Sequence, residues 1–134
     1  MEKANKFADE GVRAAKEIIR KMFKSDKMKE QERQVLGAYI FGFLNGLGQE
    51  MKVSPVDIHG IMVRVLISEM HYSAESAAQF GQFLIDSTDR NFHSTMYAII
   101  HRGLEGYYLY EVGNLEKLES DFEEILDIIT KEDA

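Results

Sequence analysis

The chain has 134 residues, 45% hydrophobic and 29% charged, and a domain of that length buries roughly two thirds of its unfolded surface without needing a covalent staple. It contains no cysteine, which excludes disulfide frameworks, thiolate zinc sites, iron–sulfur clusters and cysteine nucleophiles. Its 16 basic and 23 acidic residues leave a net charge of −7, the wrong sign for gripping nucleic acid through the whole surface.

The opening segment MEKANKFADEGVRAAKEIIRKMFK mixes acids with bases and lacks the apolar run of a secretory signal. From Ala4 to about Lys24 the residues Phe7, Gly11, Ala14, Ala15, Ile18 and Met22 form one stripe of an amphipathic helix. Ser25 and Asp26 punctuate the charged stretch SDKMKEQER, from which a second helix runs to about Glu50. Its last three turns are apolar on every side, the mark of a central helix. The run from Val35 to Gly48 is interrupted by Asn45 and falls short of the ~20 residues that cross a bilayer. Gly37, Gly42, Gly46 and Gly48 each cost helix propensity unless close packing compensates. Gly42 and Gly46, four apart, mark places where another helix backbone comes near.

Ser54 as cap, Pro55 at the first helical position and Asp57 at the third predict the start of a third helix. Ile58, Ile61, Met62, Val65, Leu66 and Met70 form its buried face, and it stops near His71. Ser73 with Glu75 opens a fourth, whose stripe is Ala77, Phe80, Phe83, Leu84 and Ser87 and which ends in the polar DSTDRN. A fifth runs from about Asn91 to Glu111; Gly113 stops it and Asn114 caps the last. That final helix uses Leu115, Leu118, Phe122, Ile125, Leu126 and Ile129 at intervals of three and four. No stretch alternates as a strand does. The expected fold is all-α: one domain over residues 1–134, six helices, with a buried glycine-containing helix at its centre.

Catalytic and metal signatures are missing from this pattern. A di-metal bundle needs a glutamate three residues before a histidine, but Val56, Ser68, Arg90 and Ala98 precede His59, His71, His93 and His101. No HExxH helix, phosphate loop, EF-hand or nucleophile elbow appears. His71 with Glu75 and His101 with Glu105 have the spacing to meet on a helix surface, but two such pairs among 23 acids are unsurprising. The expectation is therefore no enzyme, no cofactor and no metal; the residual enzymatic or small-ligand reading uses His93, His101, Arg102 and nearby tyrosines around an inter-helix pocket. The segment HRGLEGYYLYE gathers Tyr107, Tyr108 and Tyr110 with Glu105 and Glu111. It reads either as an interface hot spot or as a helix end packed in the core with its hydroxyls reaching solvent.

The charge is unevenly placed. Residues 1–34 hold ten basic and seven acidic side chains, whereas Glu105–Ala134 hold ten acids against Lys117 and Lys131 alone. On the last helix Glu116, Glu119, Glu123 and Asp127, with Asp121 and Glu124, ring the side away from the apolar stripe. Such a face repels itself and steers a basic partner toward it; its plainer use is solubility.

Three segments, GAYIFGFLNGLGQEMKVSPVDIHGIMVRVL, SAAQFGQFLIDSTD and IIHRGLEGYYLYEVGN, resemble the all-helical immunity protein 48 family of bacterial toxin systems, a likeness running from Gly37 onward. The resemblance implies a non-catalytic inhibitor that binds and neutralises a cognate toxin; the missing secretory signal leads to the expectation that protein and toxin are cytoplasmic, and the acidic charge and short apolar run that there is no nucleic-acid or membrane partner. Joined to the charge pattern, it makes Glu105, Tyr107, Tyr108, Tyr110, Glu111, Glu116, Glu119, Glu123 and Asp127 the candidate contact residues, facing a basic toxin surface. A second reading is self-association as a homodimer.

Overall fold

The computed structural model describes residues 2–22 and 28–132. Six helices follow in order: α1 (Glu2–Met22), α2 (Glu30–Met51), α3 (Pro55–Ser68), α4 (Ala74–Asp86), α5 (Ser94–Glu111) and α6 (Leu115–Glu132). Among the described residues there is no strand, so the protein is all-α, as its periodicity predicts.

Local chemistry sets the boundaries. The Ser54 hydroxyl accepts the Asp57 N–H at 3.2 Å with Pro55 behind it, and the Ser73 hydroxyl accepts the Ser76 N–H at 3.1 Å, both satisfying amides that a helix start leaves unpaired. α5 begins at Ser94, three residues later than expected. The Asp89 carboxylate accepts the Asn91 N–H at 2.9 Å and its carbonyl the Phe92 N–H at 3.0 Å, so the chain is held in a turn there. α2 starts at Glu30, inside the charged stretch, where the Glu32 carboxylate accepts the Lys29 N–H at 3.1 Å; Ser25 and Asp26 lie outside the described residues. His71 has φ +63°, in the left-handed region, which breaks the helical path between α3 and α4. His71 and Glu75 therefore do not share a helix, and their spacing of four does not bring them onto one helix face.

α2 is the hub. From Val35 to Gly48 every residue is buried except Asn45, whose side-chain amide donates to the Phe41 carbonyl at 2.7 Å. α5 lies along it with the backbones in contact. A Cβ placed on Gly42 would fall on the Ile100 carbonyl, and one on Gly103 would fall on the Tyr39 carbonyl; only a residue without a side chain permits either approach. The two helices also exchange aromatic rings. Tyr107 of α5 lies over Gly46, where a Cβ would come 2.7 Å from its own, and the Tyr39 hydroxyl of α2 occupies the space above Gly106. Gly42 thus meets backbone as expected, and Gly46 meets the root of a tyrosine instead.

One continuous core draws on all six helices, including Phe7, Phe43, Met62, Leu84, Ile99 and Phe122. Ser87, the one polar member of the expected α4 stripe, is fully buried and donates its hydroxyl to the Phe83 carbonyl at 2.7 Å. The start of α2 is tied to the α3–α4 connection through Arg33. It donates to the Met70 carbonyl at 2.7 Å and stacks 4.4 Å from the Tyr72 ring centre, while the Tyr72 hydroxyl donates to Glu30 at 2.9 Å.

Candidate interaction surface

α5 and α6 form a hairpin whose turn follows from two residues. Gly113 has φ +77°, a conformation side chains resist, and the Asn114 side chain accepts the Lys117 N–H at 3.3 Å to open α6. α6 then lays Leu118, Phe122 and Ile125 into the core, with the Phe122 ring edge-on to Tyr39 at 5.4 Å. Arg102 of α5 fastens the other flank by donating to both oxygens of Asp121 and, at 3.4 Å, to Glu124. Two of the six α6 carboxylates counted in the acidic ring are thus turned toward α5 and matched by a cation. Glu116, Glu123 and Asp127 are exposed, and Asp127 pairs with Lys131 one turn on at 3.0 Å. Glu119 is half-buried, on the opposite flank, lining a cleft of about 380 Å³ with Lys21 and Glu32.

The tyrosine cluster divides. Tyr107 is 3% exposed, packed edge-on against Phe43 at 5.7 Å. Burial and then the neighbouring Glu111 carboxylate push its phenol up to about 12. Tyr110 is half-buried, edge-on to Phe43 at 5.2 Å, and donates its hydroxyl to Glu17 of α1 at 2.9 Å. Tyr108 is 54% exposed. The packing reading of this segment therefore fits Tyr107 and Tyr110, and of the three tyrosines only Tyr108 faces outward. Beside it stand Glu105 and Glu111, both exposed, and Val112, which is 77% exposed one turn beyond. Val112 was not among the sequence candidates; its signal was an apolar residue four after a tyrosine and next to the glycine that ends the helix.

The residues of the pocket reading are not brought together. His93 caps α5, its Nδ1 accepting the Met96 N–H at 3.2 Å. Arg102 faces α6 in its ion pairs. His101 is exposed with the Tyr97 ring 4.3 Å away, over a shallow cleft shared with Asn45 and Thr88. Among the described residues no three His, Asp or Glu side chains are grouped to hold a metal ion, and no helix is long and apolar enough to cross a membrane.

Fold and surface together describe an all-helical protein with a packed interior and a carboxylate-bearing outer face. Residues 7–130 match the family described as immunity protein 48, and the chain belongs to that family. The match takes in most of α1, so the basic N-terminal helix belongs to the family unit, although the segments that resemble it in sequence begin only at Gly37. No curated protein and no solved structure matches the chain.

Proposed function

We propose that the protein binds a cognate toxin and blocks it by occupation, without chemistry of its own, through the acidic surface formed by α6 and the end of α5. The toxin it neutralises acts in the cytoplasm and presents a basic surface. The observation that carries this reading, beside family membership, is where the excess charge sits. Glu105, Glu111, Glu116 and Glu123 are all exposed, so these four carboxylates point at solvent instead of being consumed inside. Carboxylates gathered on one face raise association rates with a cationic surface and lose that effect as salt screens them. Reversing charge at Glu116, Glu119 and Glu123 is expected to weaken capture of the protein encoded immediately upstream and to abolish rescue of cells expressing it. Unchanged affinity after reversal would show that another face makes the contact.

A further inference from the structure

We infer that the end of α5 carries the anchor of this surface: Tyr108 and Val112, an exposed apolar pair that enters an apolar pocket rimmed by cations on the partner. The inference rests on the toxin-binding reading above and names the part of that surface that holds the partner once it arrives.

Three observations support it. Tyr108 and Val112 are 54% and 77% exposed and stand one helical turn apart, so their side chains share a face. The other large exposed apolar residues, Val56, Ile67, Phe92 and Ile128, each lack such a companion one turn away among the described residues. Isolated exposed apolar groups are ordinary, whereas an adjoining pair with a tyrosine has the composition of an interface anchor.

The second observation is rigidity. The Tyr108 ring stands edge-on to Tyr107 at 5.3 Å, and Tyr107 is itself fixed across Gly46 and against Phe43. A ring supported from behind by the core loses less rotamer freedom on binding than one on a loose helix end.

The third is electrostatic: Glu111 stands by the hydroxyl of buried Tyr107, but neither it nor Glu105 has a cation against it among the described residues. No lysine or arginine occurs between Arg102 and Lys117, and Glu105 and Glu111 flank Tyr108 at three residues on either side. Glu111 is the last residue of α5, whose final turn has no basic side chain; a carboxylate there opposes the negative pole of its own helix. Glu116, by contrast, lies in the first turn of α6, where an acid favours the helix. A partner cation would offset the unfavourable placement of Glu105 and Glu111. Around an apolar centre these two therefore form the polar rim of an interface whose other side is basic.

Anchor and rim predict different kinetics. With the full chain and the co-expressed protein encoded immediately upstream, Tyr108→Ala is expected to weaken binding at least about 30-fold, by faster dissociation and equally at low and high salt. Val112→Ser acts in the same direction. Glu105→Gln with Glu111→Gln is expected to slow association several-fold at low salt, the difference vanishing near about 0.5 M salt. Because glutamine keeps an oxygen that can accept from the Tyr107 hydroxyl and removes the charge that opposes the helix end, Glu111→Gln should melt close to the parent, so weakened capture by it is not a folding defect. If Tyr108→Ala and Val112→Ser bind within about threefold of the parent while Glu116→Lys with Glu123→Lys abolishes capture, the anchor is wrong and the toxin-binding reading stands. If the parent chain itself fails to capture that protein, both fall.

Discussion

The inner and outer faces of α5 solve opposite problems within one helix. Inward, Gly103 and Gly106 remove side chains so that α2 can approach to backbone contact, and every group there is matched to a neighbour's shape. Outward, Glu105 and Tyr108 of the same helix, with Val112 just past its end, are exposed to solvent. The difference teaches that the central seam is where the sequence is constrained by volume, while the hairpin end is where it is free to be constrained by a partner.

The sharpest way to break that contrast is to add one methyl group to each kind of site. Gly42→Ala or Gly103→Ala drives a Cβ into a facing carbonyl that cannot swing aside, so each is expected to destabilise by about 3 kcal/mol or more, read as a fall in the urea midpoint. Gly60→Ala, on a helical face with open space around it, is expected to stabilise by roughly 0.8 kcal/mol, since only helix propensity changes. A Gly42 variant within about 1 kcal/mol of the parent would mean that the helices slide apart freely and that the seam does not discriminate by volume.

A smaller effect probes the joint between the two regions. Arg102→Met leaves Asp121 half-buried without its cation; with the pair about a fifth to a third exposed, the loss is expected near 1 kcal/mol. A double-mutant cycle with Asp121→Asn isolates the coupling, and additive single effects would show that apolar packing alone holds α6.

Within the seam, Tyr39 offers a test of the opposite sign. Its hydroxyl is buried with no hydrogen-bond partner among the described residues, so Tyr39→Phe is expected to lie within about 0.5 kcal/mol of the parent at neutral pH, or above it. Burial, and then the charge of Asp121, hold the Tyr39 phenol well above its ordinary value. An acid whose folded pKa is raised keeps its full contribution below the unfolded pKa near about 10 and loses it above. The parent should therefore weaken as pH climbs past that value, and Tyr39→Phe should weaken less; parallel urea midpoints for the two from pH 9 to 11 would refute the assignment. Smallest of all, Glu116→Lys with Glu123→Lys should move stability by no more than about 0.5 kcal/mol while affecting binding, because both side chains are exposed.

Much of the seam was legible beforehand. A run apolar on all sides with four glycines announces a helix surrounded by others, and the spacing of Gly42 and Gly46 indicated where one of them crosses. The capping residues Ser54, Ser73 and Asn114 mark three helix starts because their side chains act on amides three residues away. Features made between distant elements were hidden. That Arg102 meets α6, that His93 serves as a cap, and that Tyr107 and Tyr110 turn inward while Tyr108 does not all depend on how α5 is rotated against α2. Helical periodicity lists a helix's faces; the packing partners choose among them. Glu119 shows the same limit, half-buried by its neighbours although its place in the pattern resembles that of Glu116 and Glu123.

The contact of Gly42 with Ile100 also sets an order of events in time. α2 is separated from its main partner α5 by α3 and α4, so its glycine-notched face is synthesised before the helix that fills it. Until α5 emerges, the notch is open to any other helix of similar shape, the exposure that makes partly folded chains aggregate. α6 comes last in the chain, after Gly113 has turned it. The most acidic helix is therefore synthesised only after the one that covers the notch.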